Sequence, residues 1–171
     1  MVNFVLYISA DLENLTNFSP RFGVDDPSFT YFFKLKCENC GEVTEKETCV
    51  SLNEEVPGAK RGTINLIQKC KFCKREGNIT MIPGRGYPLT ISLSETEKPA
   101  PLMTFDCRGV KPLDFAFNGG WKADSIKGTR FVDIDLTGGE FAEYDEEGKC
   151  PVMISNLRAE FKVVDPSKRI Y

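Results

Sequence analysis

The sequence has 171 residues, of which 41% are hydrophobic and 27% charged, and its formal net charge is -3. This is the composition of an ordinary soluble chain, long enough for one domain or two small packed halves. The weakly acidic balance argues against binding of nucleic acid or a membrane surface along the whole chain. The sequence contains no histidine, which excludes Ser-His-Asp and Cys-His nucleophiles and any zinc site with a histidine ligand. An enzyme could still use carboxylates, Lys, Tyr or Cys, but no catalytic constellation is recognisable, and we predict that the protein is not an enzyme.

Hydrophobic residues alternate with polar ones in short runs, which is typical of β-strands. The first run is Val2/Phe4/Leu6/Ile8, and the later ones are Phe29/Tyr31/Phe33/Leu35, Thr48/Val50/Leu52, Ile64/Leu66, Ile79/Met81, Leu89/Ile91/Leu93, Met103/Phe105, Leu113/Phe115/Phe117, Val132/Ile134/Leu136, Val152/Ile154 and Leu157/Ala159/Phe161/Val163. No segment predicts a helix of about ten residues or more. Many short strands between Gly and Pro turns predict an all-β fold, a sandwich or distorted barrel of two similar packed halves.

Four of the seven cysteines form two CxxC motifs, Cys37–Cys40 and Cys70–Cys73, with 29 residues between them. Each CxxC turn aims two sulfur atoms at one point, and its backbone N–H groups steady the thiolates. Two such turns joined by a hairpin supply four thiolates at tetrahedral positions, with Zn–S distances of about 2.3 Å. We predict one zinc ion per chain, bound by Cys37, Cys40, Cys70 and Cys73.

Four protein ligands complete the coordination shell of zinc and leave no position for an activated water. The predicted zinc ion is therefore structural rather than catalytic. Residues 2–9 do not have the basic start of a secretion signal. The paired cysteines thus suit metal binding in a reducing compartment better than a disulfide framework. We predict a cytoplasmic location, with the nucleus as a further one.

Other interpretations use the same cysteines. A rubredoxin-like site with iron would make the protein an electron carrier, although rubredoxins are much shorter chains. Dithiol redox pairs of thioredoxin type lie at a helix N-terminus after a strand, and no helix pattern follows Cys40 or Cys73. A thiol- or metal-handling role, similar to that of a metallochaperone, stays open as an alternative function.

The segment from Glu95 to Pro101 is the best candidate for a joint between two halves. We predict a zinc-bearing half over residues 1–98, with a zinc-ribbon-like hairpin over 34–75, and a second half over 99–171 packed on the first. The two halves can also form one compact domain. The second half faintly repeats the first, which points either to an ancient duplication whose second copy lost its metal or to chance similarity between β segments.

Cys107, Arg108 and Asp114 are further candidate site residues, in a segment rich in charged and turn residues beside aromatic ones. We favour an ion pair of Arg108 with Asp106 or Asp114 inside a tight turn. The alternative is an exposed Cys107 thiol beside a cation, able to take a soft metal or an oxidant. Cys49 falls in a strand pattern and is predicted to be a small buried side chain.

Charge is unevenly distributed along the chain. Residues 34–75 hold nine Lys or Arg residues against six Asp or Glu residues, whereas residues 132–149 hold seven acidic residues against a single Lys149. The acidic stretch predicts a solvated edge or loop. The basic region around the CxxC motifs can meet an acidic protein surface, so we expect a protein partner, and nucleic acid is less favoured. No apolar run approaches the roughly 18 residues that a transmembrane helix needs, so no membrane association is expected.

Several segments carry a resemblance to a known family: Leu12–Asn17, Lys36–Glu42, Gln68–Cys73, Cys107–Phe115, Asp133–Leu136 and Tyr144–Glu146. Together they make the chain similar, almost end to end, to the eukaryotic family of CXXC-motif-containing zinc-binding proteins. The resemblance implies an all-β protein of two similar halves, with zinc on the four paired cysteines and no assigned catalytic activity. We predict a zinc-binding, non-catalytic β protein that acts through protein–protein binding.

Overall fold

A computed structural model describes residues 2–57 and 62–165 of the chain. Residues 58–61, within the segment that joins the two CxxC motifs, therefore lie outside the described residues. The elements are β1 (Val2–Glu13), β2 (Leu15–Pro20), β3 (Tyr31–Cys37), β4 (Thr48–Val50), β5 (Leu66–Lys69), β6 (Glu76–Ile82), α1 (Ile91–Glu95), β7 (Ala100–Arg108), β8 (Val110–Ala116), β9 (Trp121–Ser125), β10 (Arg130–Ile134), β11 (Phe141–Asp145) and β12 (Cys150–Val164). The predicted all-β fold is confirmed.

The strands form one curled, six-stranded sheet and two sheets of three strands. The large sheet has the order β11-β12-β1-β7-β6-β5, and the small ones have the orders β10-β9-β2 and β4-β3-β8. All of these strand pairs are antiparallel. β4 and β5 are each the outermost strand of their sheet, and both belong to the chain segment that connects the two CxxC motifs.

Strands from both predicted halves lie side by side in the large sheet. β1 pairs with β7 on one side and β12 on the other, so that Phe4 lies opposite both Phe105 and Val163. The predicted joint near residue 98 therefore does not separate one sheet from another. The division of the chain into two halves stays a prediction. In the large sheet, strands from the two predicted halves are neighbours and share hydrogen bonds.

The core is built on the inward faces of these strands. β3 buries every second residue from Tyr31 to Cys37, as its alternating sequence predicts. Phe33 on this strand packs edge-on against Phe105 and Phe161, with ring centroids 5.3 Å apart in both pairs. Because these three rings come from β3, β7 and β12, the core joins a small sheet to the large one.

The run Leu89/Ile91/Leu93 predicts a strand, but Leu89 forms only an isolated β-bridge with Phe18, and Ile91 and Leu93 lie in the short helix α1. Thr90 is its N-cap, and the Thr90 hydroxyl accepts a hydrogen bond from the backbone N–H of Leu93 at 3.3 Å. The hydroxyl of Ser94 ties the helix to β1, because it donates to the carbonyl of Ala10 at 2.8 Å. The strand prediction was wrong for Ile91 and Leu93 because a two-residue repeat over only five residues is too short to exclude a helical turn, which the Thr90 cap begins here.

Three strands are absent from the sequence predictions, namely β2, β9 and β11. β11 lies within the acidic stretch 132–149, where charged side chains obscure the alternation. It is the outermost strand of the large sheet, where charged residues suit a solvent-facing edge. No helix among residues 2–57 and 62–165 is long and apolar enough to cross a membrane.

Candidate metal centre

The two CxxC motifs form tight turns at the ends of strands. Cys37 is the last residue of β3, and Cys70 directly follows β5, whose turn leads into β6. The first turn thus belongs to the sheet β4-β3-β8 and the second to the large sheet. A metal ion held by both turns would crosslink two different sheets.

The backbone hydrogen bonds of the two turns are the same. In the first turn, the N–H of Cys37 donates to Glu42 at 2.8 Å, and the N–H of Gly41 donates to Cys37 at 2.8 Å. In the second, the N–H of Cys70 donates to Arg75 at 2.9 Å, and the N–H of Lys74 donates to Cys70 at 3.0 Å. These bonds fix each pair of sulfur atoms on one side of its turn before any metal binds.

The four cysteine sulfur atoms converge on one point. All four Sγ atoms of Cys37, Cys40, Cys70 and Cys73 lie within 4.8 Å of one another. Across the two turns, the Sγ atoms of Cys37 and Cys73 lie 3.6 Å apart, and those of Cys40 and Cys70 lie 3.5 Å apart. A tetrahedral site with Zn–S distances of about 2.3 Å requires sulfur atoms about 3.8 Å apart. The thiol donor set and its spacing therefore fit one zinc ion.

Solvent reaches the four sulfur ligands to different degrees. Cys37 is buried, Cys70 and Cys73 are half-buried, and Cys40 is exposed. The centre thus lies at the surface, with one ligand accessible from solvent.

Hydrogen bonds also shift the pKa values of thiols in the cluster. The Asn39 side chain and the backbone N–H of Arg75 lower the pKa of the Cys73 thiol to about 6. The backbone of Glu42 lowers the pKa of Cys40, but hydrogen bonding among the thiols, first with Cys70, and desolvation outweigh it, so that the pKa of Cys40 rises to about 12. Because thiolates are the form that binds metals, the lowered pKa of Cys73 favours metal binding at that sulfur atom.

Exposed lysine side chains lie within the cysteine turns or next to them in the chain and the sheet. Lys36 lies directly before Cys37 and opposite Lys111 in the β3–β8 pair, and both side chains are exposed. Lys71 and Lys74 lie in the second turn and are exposed as well. Two like charges directly opposite each other are unfavourable in a sheet. A zinc ion with four thiolates would carry a net charge of -2, which cations next to the cysteine turns would offset.

The other candidate residues do not join the metal centre. Cys107 is 2% exposed, and burial, with smaller contributions from Asp106 and Glu38, raises the pKa of its thiol to about 12. The hypothesis of an exposed, reactive Cys107 thiol is therefore not supported. Arg108 and Asp114 are exposed, and Asp114 lies at a bulge of β8 with φ 54°. The ion pair predicted for Arg108 stays a prediction.

Cys49 is exposed on β4, so the prediction of a buried side chain was wrong. Its neighbour Val50 faces the core instead. Two residues inside the CxxC turns have roles that the sequence analysis missed. Asn39 hydrogen-bonds the Cys73 sulfur, and Phe72 leaves 69% of its surface exposed between two metal ligands. The role of Phe72 could have been predicted from the sequence, because an aromatic residue inside a metal-binding turn is a signal of an exposed apolar side chain.

Comparison with known proteins identifies the family. Residues 5–162 match the sequence profile described as "CXXC motif containing zinc binding protein, eukaryotic". The chain belongs to this family. It is 39% identical to the CXXC motif containing zinc binding protein of Xenopus laevis over 94% of this chain and 98% of the relative. It is 34% identical to the Homo sapiens protein of the same name, again over 94% and 98%.

Solved structures agree with the family's fold. The crystal structure of C1orf123 is similar to this chain with a TM-score of 0.85 and 32% identity, covering 95% of this chain and 99% of that one. A hypothetical protein from Plasmodium falciparum has the same fold, with a TM-score of 0.79 at 21% identity, covering 95% of this chain and all of that one. As a member of the CXXC motif zinc-binding family, with one cluster of four cysteines among its described residues, the protein binds a single zinc ion per chain.

Proposed function

We propose that the protein is a non-catalytic, zinc-stabilised β protein that acts through protein–protein binding. The observation that carries the proposal is the placement of the four cysteines at the junction of two sheets. β3 brings Cys37 from one sheet, and the β5–β6 turn brings Cys70 and Cys73 from the other. A zinc ion there fixes the relative position of two sheet ends, and stiff surfaces lose less entropy when they bind a partner.

The composition of the site supports a structural role for zinc. Four thiolates complete the tetrahedral shell, and catalytic zinc needs an open position for water or substrate. The chain also has no histidine to serve as a proton shuttle near neutral pH. We place this activity in the cytoplasm, with the nucleus as a second location, since thiolate zinc sites persist where thiols stay reduced.

Two measurements test the proposal. Metal analysis of protein purified without added metal should find about one zinc per chain and no colour, and removal of zinc should lower the melting temperature. Crosslinking in living cells, followed by mass spectrometry, should recover the same protein partner repeatedly with wild type, and not with Cys73→Ser. Zinc whose loss leaves the melting temperature unchanged, or wild-type protein that crosslinks to no partner, would contradict the proposal.

A metal-handling role is a second candidate because one ligand is exposed. Cys40 lies at the surface, where a competing thiol or chelator can attack the metal without prior unfolding. The rate of zinc loss separates the two candidates. A structural ion should leave at the rate of local unfolding whatever the chelator concentration, whereas a transferable ion should leave faster as the chelator concentration rises.

A further inference from the structure

A groove opens beside the metal centre. It has a cavity volume of about 640 Å³ and lies between residues 42–49 on one wall and residues 66–72 on the other. Leu35, Leu66 and Val110 contribute its apolar floor, and Leu35 and Val110 also belong to the core. Its volume falls within the range of about 300–1,000 Å³ found for ligand sites.

Each wall of the groove carries the outermost strand of a sheet. β4 and β5 are the outermost strands of their sheets. Among the described residues, no backbone hydrogen bond joins the outer edge of β5 to another segment. An exposed edge of this kind is a template on which an extended peptide can add as a further strand.

The two walls differ in charge. Exposed Lys69, Lys71 and Arg75 lie on the β5 wall. The opposite wall next to β4 is acidic on balance, because exposed Glu42, Glu45 and Glu47 outnumber the exposed Lys46 between them. A segment that carries acidic side chains is therefore attracted to the β5 edge and repelled from the β4 edge, which gives the groove a preferred side.

Phe72 provides an exposed apolar side chain in the lining of the groove. Its side chain is 69% exposed although its backbone is held by the bond from the N–H of Lys74 to Cys70 at 3.0 Å. Aromatic side chains on a fixed backbone are typical hot spots of protein interfaces, because little entropy is lost when a partner covers them. Cys70 and Cys73 lie on either side of Phe72 and bind the metal, so zinc restrains the backbone that carries this side chain.

We infer that the groove binds an extended, acidic segment of a partner protein, which pairs with the edge of β5 and packs apolar side chains against Phe72 and the groove floor. This inference rests on the proposed role in protein binding and specifies where and what the protein binds. Nucleic acid fits less well, since the carboxylates of Glu45 and Glu47 face the same groove and repel phosphates.

Synthetic peptides and an oligonucleotide serve as probes for the zinc-loaded, full-length chain. A labelled peptide that alternates leucine and glutamate should bind, as followed by fluorescence anisotropy. A copy with lysine in place of glutamate should bind about tenfold more weakly, and a copy with methylated backbone nitrogens should also lose affinity because it cannot pair with β5. Single-stranded oligothymidylate is the nucleic-acid probe.

Matched variants locate the binding surface. Phe72→Ala and Lys71→Glu should each weaken binding of the glutamate peptide by about tenfold. Phe22→Ala and Lys98→Glu are the controls, because Phe22 is 70% exposed and Lys98 is exposed, and neither lines the groove. Zinc content and melting temperature of each variant show that it is folded. Lys71→Glu should recover affinity for the lysine peptide.

The inference is overturned if the glutamate peptide does not bind, if Phe72→Ala behaves like Phe22→Ala, or if the oligonucleotide binds and the peptide does not. Its failure can be told apart from failure of the proposed function. If wild type still crosslinks to a partner in cells while the groove variants do so equally well, the function stands and the surface is wrong. If wild type crosslinks to no partner, the function itself fails.

Discussion

Gly41 and Lys74 hold the same position in the two cysteine turns, one residue after the second cysteine of each motif. Both have a left-handed backbone, with φ of 81° and 66°. A side chain in this region costs about 1–2 kcal/mol, so the first turn adopts its shape without strain and the second does so under strain. The ammonium group of Lys74 offsets part of that strain by donating to the carbonyl of Lys71 at 2.8 Å.

Gly41→Ala should lower the free energy of unfolding of the zinc-loaded protein by about 1 kcal/mol. Steric crowding does not contribute, because an added Cβ would meet nothing closer than Lys36 Cε at 4.0 Å. Urea unfolding in the presence of zinc measures the change. Gly138→Ala is the control, since a Cβ there meets no atom within 4 Å and its φ lies outside the left-handed region. An equal cost at both glycines would contradict the explanation from backbone strain.

Cys40→Ser and Cys73→Ser should each abolish stoichiometric zinc binding and lower the free energy of unfolding by roughly 4 kcal/mol, since metal affinity is part of the folding energy. Metal analysis and thermal melting measure the two effects. Cys49→Ala should retain zinc and melt almost as wild type does, because Cys49 is exposed and lies outside the four-sulfur cluster. Zinc loss in Cys49→Ala, or zinc retained in either serine variant, would show that the ligands are different.

A buried carboxylate joins two sheets far along the chain from the CxxC motifs. Asp145 on β11 is fully buried and accepts hydrogen bonds from Ser125 at 2.6 Å, Thr129 at 2.7 Å and the N–H of Gly148 at 3.1 Å. These donors, Ser125 first, lower the pKa of Asp145 below its ordinary value of 3.8. A carboxyl group whose pKa is lower in the folded state stabilises the fold above pH 3.8, and this stabilisation is lost as the pH falls through the folded-state pKa.

Asp145→Asn should therefore melt at a lower temperature than wild type at pH 7, and the difference should shrink below about pH 4. Melting curves from pH 7 to pH 3 measure it. Glu143→Gln on the same strand is the control, because its side chain is exposed, and it should melt as wild type does throughout. A difference between Asp145→Asn and wild type that stays constant with pH would exclude ionisation as its source.

The sequence predicts the metal ligands better than it predicts the strands around them. Two CxxC motifs specify a four-sulfur site by local spacing alone, and the long alternating run of β3 leads directly into the first of them. The partners of that strand cannot be predicted in this way. β3 pairs with β4 and β8 whereas β5 and β6 pair in another sheet, and this choice depends on contacts between residues distant in the chain.

Local patterns also mislead where they are short. Thr90 caps a helix within an alternating run, and Cys49 faces solvent because its neighbour Val50 takes the core position. One residue of register decides which side chain of a strand is buried, and β4 spans only Thr48–Val50. The groove beside the zinc centre cannot be predicted from local patterns either, because its two walls come from different sheets.

Trp121, the only tryptophan of the chain, is fully buried and packs against Phe18 and Phe29, with ring centroids 5.1 and 5.0 Å away. Its indole N–H has no hydrogen-bond partner among the described residues, so Trp121 stabilises the core through the packing of its ring and not through its polar group.

Trp121→Ala should lower the free energy of unfolding by about 3–5 kcal/mol because it leaves a large cavity. Trp121→Phe should cost less than about 1.5 kcal/mol, since it keeps an aromatic ring and removes a buried, unsatisfied donor. Urea unfolding followed by circular dichroism compares the two variants, with Phe22→Ala at an exposed site as the control. If Trp121→Phe proved as costly as Trp121→Ala, the indole N–H would have to be engaged in a hydrogen bond, and its polar group would matter as much as its size.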